Sequence, residues 1–226
     1  MMNAGSNAVI FDMDGVLIDS IALNWEAINS VLLPFGVKVK KEEISRYLGQ
    51  TLHDQVIQLR RDFRLKINDA LFIQNIQDLR SELLNTVAPK EGVVHLLQEL
   101  GALNIPVAVA TSMPKDLTLE RLKTANLLQF FNNVITADDV SAHKPEPEVY
   151  LKASAILKVN PSRCVVFEDA PAGVSSAKAA GMYCIAVESP YVSNDLLSHA
   201  DHVIKSLKDM NTPTIQSVFN RFDINP

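Results

Sequence analysis

Two aspartates, Asp12 and Asp14, follow the apolar run Ala8-Val9-Ile10-Phe11 in the stretch AVIFDMDGVLIDS. Ionised carboxylates two residues apart repel, and an apolar lead-in raises that cost by lowering the local dielectric. The pattern calls for a cation between them. Three more polar groups end apolar runs: Thr111-Ser112 after PVAVA, Lys144 within SAHKPEPEVY, and Glu168-Asp169 after CVVF. Hard oxygen ligands with no His or Cys among them select Mg²⁺ over zinc. Magnesium keeps several waters and takes one or two carboxylates plus substrate phosphate, so the expected substrate carries a phosphoryl group. Lys144 and the Thr111 hydroxyl are suited to neutralise and hydrogen-bond its remaining oxygens.

The elements that must bring these groups together are short Val/Ile-rich runs: Ala8 to Phe11, Ile105 to Thr111, Asn133 to Thr136, Cys164 to Asp169, Cys184 to Glu188 and His202 to Ile204. Unbroken apolar runs of this length suit strands covered on both faces, and their alternation with helices points to a parallel sheet with right-handed crossovers. Helices are expected over Glu91 to Asn104, Lys115 to Leu127, Glu146 to Lys158 and Pro171 to Ala180. In such a sheet the loops at the carboxyl ends of the strands share one edge, where ligands collect. The stretch Ile21 to Val87 has helical periodicity throughout, with breaks near Pro34-Phe35-Gly36, Gly49-Gln50-Thr51 and Ile67-Asn68-Asp69. The expected architecture is therefore α/β: a Rossmann-like parallel-sheet core of residues 1–20 and 88–226, with an inserted all-helical cap domain of residues 21–87.

The set DMDG, ATS, KPEPEVY and FEDAPAG, in that order, resembles the four motifs of the haloacid-dehalogenase-like hydrolase superfamily, and the helical insert after the first motif looks like its type-one cap. The pattern is similar to that of the small sugar- and polyol-phosphate phosphatases and of β-phosphoglucomutase. The resemblance implies Asp12 as nucleophile, Asp14 as general acid/base, Thr111 as the motif-two hydroxyl, Lys144 as the motif-three lysine, and Glu168 and Asp169 as acids on the metal side. It also implies that Asp14 joins Asp12 at the metal, through its backbone carbonyl. Asp12 would attack phosphorus to form an aspartyl-phosphate, and Asp14 would protonate the leaving alcohol and then activate water.

Other functions fit less well. A calcium loop of the EF-hand type needs Gly at its sixth position, whereas Gly15 is fourth when Asp12 is counted as the first. A phosphosugar mutase of the β-phosphoglucomutase kind presents, by resemblance, a His in the first cap helix and an Arg in the next cap loop; Asn24 and Leu52 stand near those places. A dehalogenase lacks the second aspartate. A phospho-accepting signalling receiver puts its acidic pair first and has no helical insert. Asn24, Gln50 and His53 are the expected substrate contacts from the cap, with Ser112 from the core. Trp25 reads as core, Arg80 as a surface charge, Asp19-Ser20 as a helix N-cap, and His143 as a loop residue.

Over 226 residues the net charge is −5, with no Lys/Arg run, which argues against a nucleic-acid partner. No apolar run approaches the ~20 residues that span a bilayer, and MMNAGSN has no signal-peptide pattern, so the expected location is the cytoplasm. Cys164 and Cys184 sit inside strand-like runs as small hydrophobes. A small phosphorylated metabolite is the expected partner, bound by a monomer or weak oligomer.

Overall fold

The structure, a computed structural model, describes residues 6–83 and 87–224. Six strands form one parallel sheet: β1 (Ala8–Phe11), β2 (Val107–Ala110), β3 (Val134–Ile135), β4 (Cys164–Glu168), β5 (Tyr183–Val187) and β6 (His202–Ile204). Their order is β3-β2-β1-β4-β5-β6, so the chain builds outward from β1 on one side and then restarts on the other at β4. That reversal opens a crevice at the carboxyl ends of the central strands. The register sets Phe11 beside both Val109 and Phe167, which brings the residues just beyond β1, β2 and β4 to one edge.

Alternation along the strands divides the core. Ile10, Ala108, Val166 and Ala186 face one apolar layer, which also holds Val149 and Tyr150 of helix Glu148–Leu157 and Val174 of helix Pro171–Ala179. Val9, Phe11, Val109, Phe167 and Ile185 face the other, with Leu96 and Leu100 of helix Val93–Ala102 and Leu122 of helix Lys115–Thr124. Phe11 and Phe167 stack there with centroids 5.2 Å apart. Every residue of β1 is fully buried, as expected for a central strand covered on both sides.

Between β1 and the rest of the sheet lie three helices, α1 (Ile21–Leu32), α2 (Leu52–Asp62) and α3 (Asp69–Leu83). The helices of the sheet layers follow as α4 (Val93–Ala102), α5 (Lys115–Thr124), α6 (Glu148–Leu157), α7 (Pro171–Ala179) and α8 (Thr212–Ile224). Trp25, Ile28, Tyr47, Leu59, Phe72 and Ile76 of the inserted segment continue the first apolar layer. The two connections to the sheet run side by side, with Lys90 N donating to Leu17 O at 2.9 Å and Ile18 bridging Pro89. None of the described helices is long and apolar enough to cross a membrane.

The helices are shorter than their sequence patterns suggest, for backbone reasons. Gly92 is left-handed (φ +90), so α4 begins at Val93 and not at Glu91. Left-handed Asn104, Asn126 and Lys158 close α4, α5 and α6 early, at Ala102, Thr124 and Leu157. Strand β3 keeps two residues of the four expected, and β5 gains Tyr183.

Candidate active site

The loops that end β1, β2 and β4 bring Asp12, Thr111, Glu168 and Asp169 together, and Lys144 reaches in from the loop before α6. Lys144 Nζ lies 2.6 Å from Asp12 Oδ1 and 2.7 Å from Glu168 Oε1, and donates to Ala110 O at 3.2 Å. Glu168 is fully engaged: Tyr150 OH donates to Oε1 at 2.8 Å, and the backbone N–H groups of Asp169 and Ala170 donate to Oε2 at 2.9 and 3.0 Å. Asp12, Glu168 and Asp169 offer oxygens that all lie within 4.8 Å of one another. Two glycines make room for them. A Cβ on Gly173 would stand 1.6 Å from Glu168 Oε1, and one on left-handed Gly15 would stand 2.0 Å from Asp169 Oδ2.

Crowding of acids in a buried place shows in their protonation. Burial pushes the Asp12 carboxyl up to about 8, with Glu168 and Asp14 adding to the rise against the pull of Lys144. Asp169 is held well above the ordinary carboxylate range by burial, then by the charges of Glu168 and Asp12. Burial acts to lower Lys144, but the charges of Asp12 and Glu168 outweigh it, so this lysine stays protonated. Asp169 Oδ2 is buried with no hydrogen-bond partner. An orphaned carboxylate oxygen beside two further acids fits a hard divalent cation, which would supply the missing partner.

Not every expected residue takes its expected place. The carboxylate of Asp14 stands outside the acidic triad: its Oδ1 accepts from Arg121 Nη1 at 3.0 Å and from the Ser20 hydroxyl. Ser20 therefore occupies the N-terminal position of α1 without capping it, because its side chain turns to Asp14. Thr111 is buried, and its Oγ1 accepts from Met113 N at 3.2 Å. The Ser112 hydroxyl is already committed, donating across to Gly49 O in the insert at 2.8 Å. Gln50 bonds within the insert, to Arg46 O and Gln58 Oε1. His53 is exposed, 3.9 Å from Asp54. Asn24 is buried, with Oδ1 unpartnered. Arg80 is no surface charge: it is 6% exposed, and burial together with the charge of Arg121 brings it down to about 10 against the pull of Asp14. Trp25 is core, 3% exposed and tilted on Tyr47. His143 is half-buried and borders the cavity.

That cavity, of about 480 Å³, lies between sheet edge and insert. Asp12, Asp14, Thr111 and Asp169 line its floor, and Asn24, Gln50, His53 and Arg80 line its upper wall. Sequence reasoning missed Arg121 and Tyr150. Tyr150 follows Lys144 closely enough to have been weighed with it, whereas Arg121 in TLERLKT gives no signal apart from its helix.

The comparisons agree with this geometry. The family model of the haloacid dehalogenase-like hydrolases matches residues 9–187. The validoxylamine A 7'-phosphate phosphatase of Streptomyces hygroscopicus subsp. limoneus is 32% identical over 206 residues, 91% of this chain and 96% of its own. The phosphorylated carbohydrates phosphatase of Thermotoga maritima is 33% identical over 176 residues, 77% of this chain and 82% of its own. The β-phosphoglucomutase of Clostridium difficile superposes with a TM-score of 0.87 over 97% of this chain and 100% of its own at 20% identity, a likeness of fold. With a parallel sheet of that fold and with relatives named as phosphatases, the chain belongs to the haloacid dehalogenase-like hydrolases and is one of their phosphatases.

Proposed function

We propose that this phosphatase hydrolyses a small phosphorylated metabolite, a sugar or polyol phosphate, with Mg²⁺ and through an aspartyl-phosphate on Asp12. The observation that carries the reading is the Asp12 carboxylate gripped by Lys144 at 2.6 Å on the floor of a cavity that also holds the orphaned oxygen of Asp169. The phosphorylated carbohydrates in the name of the similar Thermotoga maritima phosphatase support the substrate class.

Asp12 attacks phosphorus, and the bond to the leaving alcohol breaks. Asp14 protonates that alcohol and then takes the proton of the water that cleaves the aspartyl-phosphate. With Asp14 Oδ1 committed to Arg121 and Ser20, Oδ2 is the oxygen left for proton transfer. Lys144, held cationic by its two acids, counters charge on the phosphoryl oxygens, and Thr111 adds a hydroxyl. Asp12 and Asp169 would hold the cation, whose chemistry when bound is to neutralise the phosphoryl oxygens. Glu168, its oxygens already taken by four donors, fixes Lys144.

The helical segment of residues 21–87 acts as a cap over the core of residues 1–20 and 88–226. Its tether from Gly49 to Ser112 and its share of the cavity wall support this. Transfer within a sugar, the mutase alternative, is disfavoured because Asn24 cannot serve as a base and Leu52 offers no charge; it stays the runner-up because it needs His53 or Arg80, both on the cavity wall, to take those roles. Two buried free thiols, Cys164 and Cys184, support a reducing, cytoplasmic setting.

A phosphate-release screen tests the reading, with sugar, polyol and nucleotide monophosphates each measured with Mg²⁺ and with chelator. Release from sugar or polyol phosphates that chelator abolishes is expected. No release from any ester, or release indifferent to chelator, would overturn it. β-Glucose 1-phosphate with a bisphosphate primer checks the alternative, which gains if glucose 6-phosphate outpaces free phosphate.

A further inference from the structure

Three buried polar side chains of the cap that line the active-site cavity each carry an atom that nothing in the described protein satisfies: Arg80 Nε, Asn24 Oδ1 and Gln55 Oε1. The residues are 6%, 9% and 8% exposed. Among the described residues the side chain of Arg80, in the last turn of α3, makes no ion pair and no hydrogen bond. A buried guanidinium without a counter-charge is costly, and so is an unpaired amide oxygen. The amide of Gln55 is oriented by its own donation to Tyr47 O at 2.9 Å, so the oxygen is the end left over.

The three atoms ask for different partners. Arg80 asks for an anion; Asn24 and Gln55, as acceptors, ask for hydroxyl donors. The transferring phosphoryl group is already served by Thr111 on the floor and by Lys144 behind Asp12. The charges that act on Arg80 are Arg121 and Asp14, the side of the site where the leaving alcohol departs, and Arg121 is itself paired with Asp14 at 3.0 Å. Among the described residues Arg80 is the one lysine or arginine that lines the cavity, so its single charge neutralises one carboxylate in full but leaves a second phosphate dianion half uncompensated.

We infer that the cap carries a subsite for a polyhydroxy carboxylate, in which Arg80 binds the carboxylate and Asn24 and Gln55 accept from hydroxyls, so that the preferred substrate is a phosphorylated sugar acid. The inference rests on the phosphatase reading but names the part of the substrate that reading leaves open.

The test uses three probes: 6-phosphogluconate, sorbitol 6-phosphate, which has the same carbon chain with an alcohol in place of the carboxylate, and glucose 1,6-bisphosphate. Calorimetric binding is measured to the Asp12→Asn protein, so that the result does not depend on turnover, and phosphate release is measured with wild type. The acid is expected to bind roughly tenfold or more tighter than the alcohol and to be the better substrate, and Arg80→Met in either background is expected to erase that ratio. The same substitution is expected to raise the melting temperature of the ligand-free protein, since it removes a buried charge that nothing pairs. Equal binding of acid and alcohol, tighter binding of the bisphosphate than of the acid, an unchanged ratio in Arg80→Met, or a lowered melting temperature in that variant would each overturn the subsite. Preferential binding of the acid without phosphate release from any probe would retain the subsite and reject the phosphatase reading.

Discussion

Asp12→Asn is expected to lower kcat by on the order of 10⁴-fold or more, the scale seen when a covalent nucleophile is removed, while the protein keeps its fold. The amide is nearly isosteric with the carboxylate, and its oxygen can still accept from Lys144, which lies 2.6 Å from Oδ1. The effect on stability has a definite sign. A carboxyl raised to about 8 in the folded protein holds its proton more tightly than in the unfolded chain. Stability from this group is therefore full below the ordinary carboxylate range and is lost as pH rises toward 8. At neutral pH the metal-free variant should melt at or above the wild-type temperature, and the difference should shrink as pH falls toward 4. Melting curves across that range check the sign, and retention of more than a small residue of activity would reject Asp12 as the nucleophile.

Asp169→Ala acts on the cation. This side chain supplies the one buried acidic oxygen of the cluster with no partner, and its backbone surroundings leave no space for a substitute, since Gly15 has no room even for a Cβ beside Oδ2. The Mg²⁺ concentration for half-maximal activity is expected to rise by at least about 100-fold, or saturation to be lost. A second readout does not need turnover. Wild type should gain melting temperature on addition of Mg²⁺ by mass action, and the variant should gain little. Unchanged magnesium dependence in both assays would remove Asp169 from the metal site.

The parts of the site that were legible in the sequence share one physical origin. A strand buried on both faces is an unbroken apolar run, so the first polar residue after it marks the carboxyl edge of the sheet. Asp12, Thr111 and Glu168-Asp169 are such residues, and the parallel order puts them together. Lys144 was legible from its prolines and the helix behind them. What escaped belongs to helix faces. Arg121 on α5 and Arg80 on α3 sit in stretches that read as ordinary solvated faces, because only the packing of the insert over the sheet edge turns those faces inward. Ser20 is legible only as a helix N-cap and Ser112 as a polar residue near the site, and neither is legible by partner. Each bonds across a junction, to Asp14 and to Gly49, that local sequence does not encode. The helix ends differed for a similar reason: left-handed Gly92, Asn104, Asn126 and Lys158 cut runs whose apolar spacing alone continues.

In the proposed reaction phosphate passes through Asp12 before it reaches water. Rapid acid quench during turnover of a substrate found in the screen, followed by peptide mapping, tests it most directly. One phosphoryl group is expected on the peptide that spans Ala8 to Ser20, located on Asp12, formed and consumed within a single turnover and absent from Asp12→Asn. Turnover with the phosphoryl group on another residue, or the same adduct in the Asp12→Asn protein, would contradict it.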